Sequence, residues 1–71
     1  MNLLDCDVGK VYIIKSINGG EEMNAFLLSL GCFEGEEIQI SKRVKSNLIV
    51  SIKGSKYAID NDLACEIEIC S

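Results

Sequence analysis

Four cysteines, Cys6, Cys32, Cys65 and Cys70, have the most versatile chemistry in this 71-residue chain. Thiolates can ligate soft metals, pair as disulfides or attack electrophiles, and each use needs a partner. A nucleophilic cysteine needs a base, usually histidine, and the chain has none. Structural zinc calls for paired spacing such as C-x₂-C, and even the closest pair, Cys65 and Cys70, is spaced more widely. Disulfides do not persist in a reducing cytosol, and residues 1–9 lack the basic, then apolar, pattern of an export signal. Free thiols acting as small hydrophobes are therefore expected, with no metal site and no cofactor.

Carboxylates are the next candidates. Asp5 and Asp7 flank Cys6, and Glu34, Glu36 and Glu37 crowd a second stretch. Such oxygen-rich clusters hold hard divalent ions weakly and otherwise make solvated loops. Serine without histidine offers no triad, and no G-x-x-x-x-G-K-[ST] phosphate loop occurs. No enzymatic activity is expected. The net charge of -4 opposes nucleic-acid binding, which depends on neutralising phosphates. No apolar run approaches the roughly 20 residues of a membrane helix, so direct membrane insertion is not expected. The expectation is a cytoplasmic monomer, one domain over residues 1–71.

The elements that position these residues follow from periodicity. "KVYIIKSI" (10–17) is β-branched and aromatic, as in a strand, and Asn18-Gly19-Gly20 ends it. Met23, Phe26, Leu27 and Leu30 then fall at i, i+3, i+4 and i+7, which predicts a helix over 21–30 docked through those four residues. Glu21 and Glu22 suit the positive end of its dipole, and Gly31 suits a left-handed cap. Beyond Gly35 the period returns to two. Ile38 and Ile40 oppose Glu37, Gln39 and Ser41, and Leu48, Val50 and Ile52 share a face. Lys45-Ser46-Asn47 is a polar turn, and Gly54-Ser55 predicts a type II′ hairpin loop. "KYAI" is the next strand, and Asp60 caps a helical turn through Leu63. In "CEIEI", Cys65, Ile67 and Ile69 are expected inward, with Glu66, Glu68 and Cys70 outward. Five short strands and one helix, inserted after the first strand, predict a mainly β fold closed into a small barrel, because closure removes edges.

"LLSLGCFEGEEIQI" followed by "IVSIKGSKYAIDNDLACEIEI" resembles the FeoA family. The family pattern L-x-x-L-G-[apolar]-x-x-G-x-x-[apolar]-x-[apolar] is met by Leu27, Leu30, Gly31, Cys32, Gly35, Ile38 and Ile40. Gly54, Ile59, Ala64, Ile67 and Ile69 match the later part. Two positions depart from it. Glu34 stands where proline is common, and Ala25-Phe26 stand where an arginine often precedes the first leucine. The resemblance implies an SH3-like five-stranded barrel, similar to the C-terminal domain of DtxR-type repressors. It also implies an accessory role in ferrous iron uptake, acting on FeoB, a membrane permease with a cytosolic GTP-binding domain. The alternative is a metal sensor or carrier using cysteine and carboxylate ligands.

Two surface features bear on a partner. "LGCFEG" (30–35) is expected to be a tight corner from helix to strand, with Gly31, Gly35 and the hairpin Gly54 as structural glycines. Ala25, Leu28, Cys32 and Phe33 are expected to form an exposed apolar patch there. No basic residue lies between Lys15 and Lys42, an interval holding five glutamates, whereas Lys42, Arg43, Lys45, Lys53 and Lys56 follow closely. That segregation predicts an acidic end and a basic strand face.

Overall fold

Alternating apolar residues set the architecture. The computed structural model describes residues 1–70. A 3-10 turn at Leu3–Asp5 precedes strand β1 (Val11–Ile17) and helix α1 (Glu21–Ser29). Strands β2 (Glu37–Val44), β3 (Asn47–Ile52) and β4 (Ser55–Asp60) then form a meander. A single-turn helix α2 (Asn61–Ala64) leads to β5 (Ile67–Cys70). The strands make one antiparallel sheet in the order β4-β3-β2-β1-β5. Register shifts near Lys15 and Ser41 bend β1 and β2, the usual effect of an extra residue in one strand. The sheet wraps the core without β4 and β5 pairing. The expected closure is therefore incomplete, and the fold is an open SH3-like barrel.

The inner faces of all five strands are buried. Ile38 and Ile40 of β2, Leu48, Val50 and Ile52 of β3, and Ile67 and Ile69 of β5 lie within the core, as their spacing predicts. Leu3, Cys6, Leu27, Cys32 and Ala64 close the core from outside the sheet. Among the described residues no polar or charged side chain is buried, so no desolvation penalty offsets this apolar burial.

The segment before β1 is held by side chains that reach its backbone. Arg43 Nη2 donates to the carbonyls of Leu4 (2.9 Å) and Cys6 (2.6 Å). Gln39 Nε2 donates to Gly9 O, and Tyr12 Oη accepts from Asp7 N. Asn2 bridges Glu68, and Ile69 N donates to Met1 O, so this segment covers part of the β5 edge.

Asp60 caps α2 as expected, its Oδ1 accepting from Leu63 N at 2.9 Å. Three expectations need correction. Phe26 is 47% exposed; α1 reaches the core through Leu27, with Met23 and Leu30 half-buried beside it. The β3–β4 loop is Lys53-Gly54 rather than Gly54-Ser55. Positive φ at both residues (52° and 81°) makes it type I′ rather than II′, with Ile52 pairing Ser55. Cys65 is exposed, because it caps α2 in helical geometry and donates to Asp62 O, and the strand begins only at Ile67.

All four thiols are free. Burial raises the Cys32 pKa from 9.0 to about 11. Burial also raises Cys6, helped by the charges of Asp5 and Asp7.

Leu27→Ala should cost about 2–5 kcal/mol by denaturant melting, and Phe26→Ala no more than about 1 kcal/mol. Reversed magnitudes would refute the placement of the helix. Cys65 and Cys70 should react with a thiol reagent well before Cys6 and Cys32 do. Above pH 9.0 the unfolded chain sheds a Cys32 proton that the folded chain keeps until about pH 11. The stabilisation is therefore complete below the unfolded pKa and is lost as pH rises through that window. The Cys32 share is on the order of 2 kcal/mol, and Cys32→Ala should flatten the decline measured by melting against pH.

Candidate functional site

The corner from α1 to β2 is fixed at both ends. Gly31 N donates to Leu28 O and Cys32 N to Leu27 O, each at 2.9 Å. With Gly31 left-handed at φ 86°, this is the Schellman pattern, and the burial of both Leu27 and Cys32 completes it. Phe33 to Glu36 form a second turn. Glu36 N donates to Phe33 O at 3.0 Å, and Gly35 takes φ 89° at the third position. Such a turn wants glycine there and favours proline just before it, the place Glu34 occupies. Gly35 N donates to Ile14 O, and Ile14 N to Glu36 O, which fastens the turn to β1.

The side chains divide at this corner. Leu28 is 60% exposed and Phe33 37%, and Ala25 lies on the exposed side of α1. Cys32 is buried, which removes it from the expected patch. Its spacing from Ala25 and Leu28 is helical, but α1 has ended and Gly31 turns the chain inward. Phe26 adds an exposed aromatic on another flank of α1 that spacing had assigned to the core.

Lys53 links the corner to the β3–β4 hairpin. Its Nζ lies 4.8 Å from the Phe33 ring centroid and 3.2 Å from Glu36 Oε1. An exposed cation–π contact of this kind contributes about 0.5–1 kcal/mol. The fold thus brings a basic hairpin residue onto the acidic stretch, so the two charge groups meet at the corner. Sequence reasoning missed this contact, because residues on separate elements carry no spacing signal for it.

The other chemical candidates are dispersed. Cys6 is buried with its Sγ toward Asn2 O, while Asp5 and Asp7 are exposed. Among the described residues no three cysteine or carboxylate side chains converge as metal ligands would. No helix is long and apolar enough to cross a membrane. Gly54 serves the hairpin turn, and with Gly31 and Gly35 it takes a positive φ, as a structural glycine should.

A family model described as the FeoA domain matches residues 1–70. No curated protein matches significantly. Among solved structures, the crystal structure of an iron uptake regulatory protein (FeoA) is 27% identical, with a TM-score of 0.89 over 97% of this chain and 93% of that one. FeoA of Stenotrophomonas maltophilia, crystallised with zinc and described as an SH3 domain protein, is 17% identical with a TM-score of 0.86. That match covers 99% of this chain and 89% of the other. A manganese-dependent transcriptional repressor is 18% identical with a TM-score of 0.90 over all of this chain but 41% of its own length. The last two are likenesses of fold. With a family model spanning residues 1–70, the chain belongs to the FeoA family.

Proposed function

We propose that this chain is an accessory interaction module of ferrous iron uptake. It acts at the cytosolic side on a FeoB-type GTPase-permease, and Ala25, Leu28 and Phe33 form the contact. Family membership supports the pathway. One observation carries the surface: apolar side chains stand exposed on backbone that is hydrogen-bonded to both the helix and β1.

Interfaces concentrate their energy in a few aromatic and aliphatic anchors. A phenylalanine on a fixed turn loses little backbone freedom on docking, so more of its burial becomes affinity. Lys53 holds the ring from one side while leaving it partly open to a partner. Glu34 and Glu37, both exposed, form a rim that tunes association rate and its salt dependence. The module works by binding, not by chemistry.

Leu28→Glu should leave the melting temperature close to that of the parent. Phe33→Ser should lower stability by about 1 kcal/mol through loss of the Lys53 contact. Both should lose co-purification with the permease and impair ferrous iron uptake in cells. Normal uptake and co-purification by both folded variants would remove the corner as the interface. Unfolding of Phe33→Ser would assign that ring to the fold and leave Leu28→Glu as the deciding variant.

A further inference from the structure

The two edges of the sheet are treated differently. Asn2 and Met1 cover part of β5, whereas β4 has β3 on one side and no strand on the other. The hairpin geometry fixes which backbone groups of β4 face outward. Across a two-residue loop the closing pair, here Ile52 and Ser55, exchanges its hydrogen bonds, and the pattern then alternates. Ser55, Tyr57 and Ile59 therefore bond to β3. Lys56 and Ala58 turn their N–H and C=O groups to the open edge; the Asp60 side chain keeps the same parity, while its carbonyl belongs to α2, which it caps.

The side chains of these residues are exposed, as is that of Ser55 at the turn. Lys56 and Asp60 lie two positions either side of Ala58 and have opposite charge. Among the described residues neither takes part in a salt bridge. An edge of one charge repels a second copy, which is how many proteins keep such edges from pairing. This edge instead reads as its own complement. In an antiparallel pair centred on Ala58, each Lys56 stands opposite the other copy's Asp60, and the two alanines exchange their N–H···O=C bonds across the axis, their small side chains leaving no steric obstacle to pairing.

We propose that β4 is a self-association edge. Two copies join β4 to β4 about a two-fold axis at Ala58, continuing the sheet across both. The interface is isologous, since the same strand serves both partners. It uses a different surface from the helix corner and stands independently of the permease assignment. The main-chain pairing supplies contact area, and the two Lys56–Asp60 pairs set register and exclude neighbours that lack the matching charges.

The test is sedimentation equilibrium of the full chain from about 1 µM to 1 mM, the range suited to a small interface, with amide exchange followed by NMR. Concentration-dependent dimerisation is expected, with growing protection of the Lys56 and Ala58 amides. Dimerisation should weaken when salt rises enough to screen exposed charges. Lys56→Glu alone and Asp60→Lys alone should each dissociate the dimer at least about tenfold more readily, because each variant sets like charges opposite each other. An equimolar mixture of the two should restore dimerisation, since the mixed pair matches again at both positions. Ala58→Pro should also abolish it while keeping the fold, because that N–H is not used within the sheet. Circular dichroism of each variant checks folding; should Asp60→Lys unfold through loss of its helix cap, Lys56→Glu and Ala58→Pro decide. A parent chain monomeric at 1 mM would overturn the proposal. So would a dimer unaffected by Lys56→Glu and Ala58→Pro, or protection that appears elsewhere than on β4.

Discussion

Leu27 connects the two halves of the molecule. Its side chain is the single fully buried anchor of α1, and its carbonyl accepts from Leu30 N and Cys32 N where the helix ends. Burial and capping thus act through one residue. A helix this short is marginal by itself in water, so its position depends on what it docks against. Once Leu27 is seated, Gly31 turns the chain, Cys32 enters the core, and Phe33 is carried to the turn fastened to Ile14. The surface of the corner is a consequence of packing beneath it.

The sheet was largely legible because its inner face is apolar and its outer face is not. Ile38, Ile40, Leu48, Val50 and Ile52 declare their faces by alternation, and Asp60 declares the turn of helix that it caps. The hairpin loop was harder. Moving it by one position, from Lys53-Gly54 to Gly54-Ser55, shifts the register by two residues and leaves every side chain on its original face. Alternation cannot separate the two, and a lysine with φ 52° is not what turn propensities suggest. Cys65 failed for a different reason. Strand parity was carried back through residues that belong to the end of α2.

Parts of the candidate site were legible in the same uneven way. The two glycines marked the corner, since both its turns require positive φ. Ala25, Leu28 and Phe33 were placed on the outside as expected. Cys32 was not, because Gly31 turns the chain inward where the helix ends and carries Cys32 into the core. Phe26 sits on the flank of the buried stripe, where exposure depends on whether a neighbouring element covers it. Periodicity cannot report that neighbour. Nor could it report Arg43 reaching Leu4 and Cys6, or Lys53 reaching Phe33, since these contacts join elements far apart in the chain.

The attachment of the corner to β1 bears on the order of folding. β2, β3 and β4 are joined by two-residue turns, so their pairing closes only short loops. β1 must instead find β2 across the whole helical insertion and β5 across most of the chain. Loop-closure entropy makes such distant pairings the slow ones, so the meander has a kinetic head start. Gly35 and Glu36 take their bonds from Ile14, a residue of the late strand. Phe33 therefore acquires its fixed presentation only when β1 has paired with β2 across the helical insertion. A partner that recognises this corner reads that pairing along with the identity of the protein, and chains in which β1 has not yet joined β2 do not present it.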